Sequence, residues 1–221
     1  MVLSQRYHVV TLDLPGHGAL TGVPFVEENL DAQLDEALST MEGPPLIAGY
    51  SLGGYVAMRY ASRFPDRTRG LLLADCTLDF EHWKVWPMEA GFGFMQWLPR
   101  PMLDAFLHTT LYMALPKRYA DIVKHIPFDS DVLTRVNAIA QTVSRPSDGI
   151  ATYRKPVLIV NGEYDVAFRA DERRYLHRLP QARLRLMHGV DHAAPMRRVA
   201  DFCSIVDEFA TQVFALEHAA P

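Results

Sequence analysis

The chain has almost nothing with which to cross-link itself: 221 residues carry only 2 cysteines, Cys76 and Cys203. Such a pair can neither frame a disulfide scaffold nor supply the ligand spacing of a zinc site. The fold must therefore stand on its apolar core, and a reducing, cytoplasmic compartment is the expectation. A positive surplus is also missing. The 22 Lys and Arg face 26 Asp and Glu, for a formal net charge of -4, which speaks against a nucleic-acid partner because nothing is left over to neutralise a phosphate backbone. No apolar run approaches the roughly 18 residues that a membrane span needs. Neither G-x-x-x-x-G-K-[ST] nor G-x-G-x-x-G occurs, so no nucleotide cofactor is implied. His188 and His192 have no carboxylate-rich ligand set around them, which leaves a metal site without support. What remains is 49% apolar, 10% aromatic and 22% charged, the make-up of one globular domain, or of one domain carrying an insertion.

The order of elements predicts an α/β fold. His8–Leu14 is rich in β-branched and apolar residues and stops at Pro15-Gly16-His17-Gly18, so it reads as a strand closed by a turn. Leu30, Leu34, Leu38 and Met41 recur at helical spacing until Pro44-Pro45. Leu46–Tyr50 is a short apolar strand, followed by glycines and by a helix with Val56, Tyr60 and Phe64 on one face. Gly70–Asp75 and Lys155–Val160 read as buried strands. Arg183–His188 alternates charged and apolar residues, as an outer strand does. A final helix carries Phe202, Val206, Phe209 and Val213. Strands alternating with helices predict a mostly parallel sheet covered on both faces.

Residues 77–146 break the alternation. They hold Trp83, Trp86 and Trp97, much of the phenylalanine including Phe94, and Met88, Met95, Met102 and Met113. After Asp129-Ser130, the spacing of Val132, Leu133, Val136, Ile139, Ala140 and Val143 predicts a helix. The expected organisation is a core of residues 1–76 and 147–221, with a helical cap inserted at 77–146. The apolar side of such a cap either packs as a satellite core or lines a pocket, and Tyr50, Trp83, Trp86, Phe94 and Trp97 are the candidate pocket residues.

Chemistry concentrates at Gly49-Tyr50-Ser51-Leu52-Gly53, a G-x-S-x-G pentapeptide between a predicted strand and a predicted helix. A serine at so sharp a turn is lifted above the sheet, and the helix N-terminus behind it favours developing negative charge. A serine hydroxyl needs a base, and the base an orienting acceptor. Asp165 follows the strand Lys155–Val160, and His192 follows the strand Arg183–His188. Both belong at the sheet edge that Ser51 occupies, where open α/β sheets bind ligands. Glu163, Asp191 and, further off, Asp75 are alternative acids, and His188 is an alternative base. His17 reads as part of a structural loop more readily than as a substrate contact.

Taken together, Asp13–Gly18, Gly49–Gly53, Asn161–Asp165 and Gly189–His192 resemble the motifs of the α/β-hydrolase-fold superfamily, in its cap-bearing serine-hydrolase branch. The likeness spans the core on both sides of the insertion. It implies Ser51 as nucleophile, Asp165 as acid, His192 as base and the Leu52 N–H in the oxyanion hole. A serine nucleophile sets the chain apart from the branches that attack with aspartate. In similar proteins a further N-terminal portion supplies a hairpin and a central strand ending in a His-Gly loop. Here only seven residues precede His8, so the N-terminal strands of the family are expected to be missing. The sheet should then be gapped or abnormally paired between His8–Leu14 and Leu46–Tyr50, with Leu52 N–H left as the oxyanion donor. The activity implied is hydrolysis of a small to medium hydrophobic ester, thioester or lactone, with a small-molecule substrate and no cofactor. Carbon–carbon bond hydrolysis, a menaquinone-pathway-like lyase reaction, or a catalytically impaired product are the alternatives on the same fold.

Overall fold

The computed structural model describes residues 3–81, 83–84, 86, 90, 97–123 and 145–218. The strands are β1 (Leu46–Tyr50), β2 (Gly70–Ala74), β3 (Val157–Gly162) and β4 (Ala182–Met187). The helices are α1 (Glu27–Ser39), α2 (Leu52–Arg63), α3 (Arg100–Ala114), α4 (Lys117–Val123), α5 (Pro146–Gly149), α6 (Glu172–Arg178), α7 (Ala194–Arg197) and α8 (Val199–His218). Two compact units result: Met1–Thr11, Ala37–Asp79 and Pro146–Pro221 form the first, and Leu12–Glu36 with Phe80–Arg145 the second.

The first unit is built on the sheet. Its strands lie in the order β1-β2-β3-β4 and every pairing is parallel. The register sets Gly49 beside Leu73, Leu73 beside Ile159, and Ile159 beside Leu184. Side chains alternate between the two faces of a strand, and the core divides accordingly. Leu71, Leu73, Val157 and Ile159 pack with Ala57, Met58 and Ala61 of α2 and with Tyr175 of α6. Leu72, Ala74, Leu158 and Val160 pack with Val206, Phe209 and Val213 of α8. All of β2 and all of β3 are buried, as expected of strands covered on both sides. Among the described residues β4 ends the sheet, and its burial alternates. Its outward Arg183 and Arg185 reach Gln212 and Glu208 of α8.

The expectation of a strand at His8–Leu14 fails. These residues form no ladder, and a run with strand composition becomes a strand only where a neighbour accepts and donates its backbone hydrogen bonds. The segment before them is tied to α8: the Tyr7 hydroxyl donates to Asp207 Oδ1 at 2.8 Å, Arg6 pairs with the same carboxylate, and the Tyr7 ring stacks on Phe214 at 6.1 Å. Between residues 8–11 and β1 lies a cleft of about 710 Å³, lined by Val9, Val10, Leu46, Ala48 and Phe214 among others. Among the described residues β1 is therefore an edge strand, paired only to β2.

Where the chain leaves and re-enters the first unit, buried Asp79 gathers both ends. Its carboxylate accepts from Ser147 N (3.0 Å), Ser147 Oγ (2.7 Å) and Arg174 Nη1 (2.8 Å), and its own amide donates to Asp171. Four hydrogen bonds on one acidic residue fix residues 79 and 147 side by side within the first unit.

In the second unit, Asp13 accepts from the Ala19 amide at 2.8 Å, and one ring nitrogen of His17 lies 3.1 Å from the Pro15 carbonyl. The His17 ring meets buried Phe25 edge-on. This is the setting of a loop-forming histidine. Glu81 pairs with Lys84 and with Arg145. The helix expected over residues 132–143 and the side chain of Phe94 lie outside the described residues. Trp83, Trp86 and Trp97 are 70%, 56% and 88% exposed.

Candidate active site

The site rises from the carboxyl ends of β1, β3 and β4. Ser51 follows β1 at φ 50° and ψ -120°, a conformation that costs about 1–3 kcal/mol and persists only where its surroundings enforce it. Two glycines make the turn possible. A Cβ on Gly49 would collide with the Gly53 carbonyl, and one on Gly54 with Cys76 Sγ. Gly53, although part of the motif, has open space where its Cβ would stand, so the steric demand falls on Gly49 and Gly54. The Ser51 amide donates to the Ala74 carbonyl at 2.9 Å, tying the elbow to β2. Ser51 stands at the N-cap of α2 yet makes no side-chain cap. A serine here ordinarily bonds the helix amides. This one instead turns its Oγ to His192 Nε2, at 3.0 Å.

His192 lies beyond β4. Its Nδ1 is 2.7 Å from Oδ2 of Asp165, which lies beyond β3 and is 5% exposed. The other Asp165 oxygen accepts from the Phe168 amide at 3.3 Å. The Phe168 ring stacks on the imidazole with centroids 4.3 Å apart, and the Tyr50 hydroxyl donates to the His192 carbonyl at 2.7 Å. Burial above all, with the nearby Asp75 and Asp165 charges, pushes the Tyr50 phenol above its ordinary range. It therefore stays a donor at any working pH. Leu52, the first residue of α2, carries an amide to which the helix itself offers no carbonyl.

The loop bearing Asp165 is fixed from outside. Asn161 donates to Thr77 Oγ1 (3.0 Å) and to Glu172 (2.9 Å), Thr77 donates to the Phe168 carbonyl (2.8 Å), and Arg169 spans Glu172 and the Glu163 carbonyl. Phe168 had no signal in the sequence beyond standing three residues after Asp165.

The competing residues are engaged elsewhere. Glu163 accepts from the Gly189 amide at 2.8 Å and lies 3.6 Å from His188 Nδ1. The amide, foremost, and His188 hold its carboxylate below the usual range. Asp191 takes a two-pronged contact from Arg197 at 2.7 and 3.0 Å, which lowers its carboxyl. His188 is mostly exposed. Asp75 is the exception. It follows β2 with no exposed surface and a positive φ of 49°. One polar atom each from Asp75, Asp165 and His192 lie within 4.8 Å of one another.

The profile of the Alpha/beta hydrolase family matches residues 2–204. The chain belongs to this family. The parallel sheet flanked by helices agrees with it, and structural relatives share the fold. A carboxylesterase of the thaumarchaeon Nitrososphaera superposes with a TM-score of 0.72 at 16% identity, over 92% of this chain and 79% of that one. NosK from Streptomyces actuosus gives 0.68 at 23% identity, over 96% and 89%. In sequence, the chain is 30% identical to a pimeloyl-[acyl-carrier protein] methyl ester esterase of Nitrosomonas europaea, across 93% of this chain and 86% of the relative. A protein of the same name from Neisseria meningitidis is 26% identical, across 96% and 70%. Esterase-named relatives and the family match together support an ester-hydrolysing enzyme. No helix among the described residues is long and apolar enough to cross a membrane.

Proposed function

We propose that this hydrolase cleaves carboxylic esters of small to medium hydrophobic acyl groups, the methyl ester of an acyl chain being the first substrate to try, with Ser51, His192 and Asp165 as its catalytic triad. The observation that carries this reading is the position of one imidazole, 3.0 Å from a strained serine hydroxyl on one side and 2.7 Å from a buried carboxylate on the other. Ser51 Oγ attacks the ester carbonyl while His192 Nε2 accepts its proton. Asp165 holds the Nδ1–H tautomer and stabilises the imidazolium. The Leu52 amide, at the positive end of α2, faces the oxyanion. His192 then returns the proton to the departing alkoxide, leaving an acyl group on Ser51. Water, deprotonated by the same imidazole, releases the acid.

Trp83, Trp86, Trp97 and Phe94 remain candidates for apolar substrate contacts, with Tyr50 beside the imidazole. The test is turnover of nitrophenyl esters and of acyl methyl esters by the wild-type chain and by Ser51→Ala, with thioesters and lactones in parallel. Ester hydrolysis that disappears in Ser51→Ala, with circular dichroism unchanged, is the expected result. Ester turnover that survives the substitution contradicts the assignment.

A further inference from the structure

Two buried aspartates end adjacent strands, and the triad uses one of them. Asp75 has accounted for only part of its hydrogen-bonding capacity. Its Oδ1 accepts from the Gly162 amide at 2.7 Å, and its own amide is bound to the Val160 carbonyl at 3.0 Å. Its Oδ2 is buried and has no donor. The groups around it are Tyr50 at the end of β1, Cys76 next along the chain, Asp165 beyond β3 and His192 beyond β4. The Tyr50 hydroxyl is spent on the His192 carbonyl, and His192 Nδ1 on Asp165. Among the described residues no Lys or Arg pairs with Asp75, and Oδ2 has no hydrogen-bond partner. The neighbouring acid is Asp165, with one carboxylate oxygen of each aspartate within 4.8 Å of the other.

We propose that Asp75 is held as a neutral carboxylic acid whose Oδ2–H donates to the Asp165 carboxylate, which makes Asp75 a positioning residue for the acid of the triad. This rests on the triad proposed above. Two carboxylate charges this close in a buried site repel each other, which favours a proton on one of them. The Asp165 oxygens already act as acceptors for two N–H groups, of His192 and Phe168, whereas Asp75 Oδ2 has no donor to accept from. The proton belongs on Asp75. Burial first, and the Asp165 carboxyl with it, push the Asp75 carboxyl up to about 7, against the pull of the Gly162 amide and His192. The positive φ suits the assignment, because aspartate and asparagine tolerate that backbone region better than other side chains. As pH rises through about 7 the donor is lost, a second anion appears beside Asp165, and the orientation of His192 loosens. Activity should therefore fall on the alkaline side through Asp75.

The direct test is a carbon-13 carboxyl NMR titration of the intact chain, with Asp75→Asn assigning the resonance. The Asp75 carboxyl should be protonated at pH 6 and titrate near 7. If it is ionised at pH 5, the proposal is overturned, independently of any labelling result at Ser51. The second arm is the pH profile of kcat/KM. Asp75→Asn keeps both hydrogen bonds through its amide and should abolish the alkaline decline while holding activity at pH 6 within severalfold of wild type. Asp75→Ala removes both bonds and should lower kcat/KM about tenfold or more. Should the Ala variant fail to fold, the Asn profile still decides. An unchanged alkaline limb in Asp75→Asn contradicts the proposal. So does a crippled Asp75→Asn beside an active Asp165→Asn, which would make Asp75 the ionised acid of the triad.

Discussion

Asp165 and Asp75 are the same side chain, nearly equally buried, each at the carboxyl end of a central parallel strand. Their surroundings differ in donors. Asp165 sits in a loop that supplies an amide and faces an imidazole. Asp75 receives one amide, has an oxygen without a donor, and is turned toward the other aspartate. On the proposed reading, two acids buried alike take different roles because different numbers of N–H groups reach them. A carboxylate with enough donors can carry charge and orient a base. One with fewer donors favours its neutral form when buried and can then donate.

The largest break in this comparison comes from Asp165→Asn, which should cut kcat by roughly 10⁴-fold because the amide favours the wrong imidazole tautomer. Steady-state kinetics on a nitrophenyl ester measures it. Next in size is stability against pH. A carboxyl whose folded pKa is about 7, against roughly 3.9 unfolded, binds more protons folded than unfolded in that window. Stability is therefore highest below the unfolded value and is lost as pH climbs to about 7. Asp75→Asn should remove that decline and raise the thermal midpoint at pH 8 by roughly 5 °C, as read by calorimetry at pH 5 and pH 8. A midpoint equal to wild type at pH 8 would count against the contrast. Tyr50→Phe deletes one hydrogen bond, to the His192 carbonyl, and should lower kcat/KM by about tenfold or less. The smallest effects belong to Glu163→Gln and Asp191→Asn, whose partners are Gly189 and Arg197. Turnover should change by about twofold at most, since solvent screens such surface contacts.

The same contrast shows how far the sequence could be read. Strand composition and helical spacing located β1 to β4, α1, α2 and α8, because each buries a face whose period is written in its residues. The elbow was legible for the same local reason: Gly49 precedes a serine at a strand-to-helix junction, and Gly54 follows it. Loop position put Asp165 and His192 on one edge of the sheet. Donor geometry was not legible, since it depends on which amides a loop aims at an oxygen. Asp75 thus stood as a distant alternative acid, although it lies within 4.8 Å of the pair. Phe168 stayed hidden because one aromatic in a loop has no period. His8–Leu14 misled in the opposite direction. Its composition satisfies the propensity for a strand but says nothing about whether a neighbour is there to pair with.

The arrangement of Ser51, His192 and Asp165 is tested most directly by treating the folded chain with a fluorophosphonate and mapping the adduct by peptide mass spectrometry. A single adduct on Ser51, absent from Ser51→Ala and formed much more slowly in His192→Ala, is the expected result. Equal labelling of Ser51→Ala, or an adduct on another serine, would contradict it.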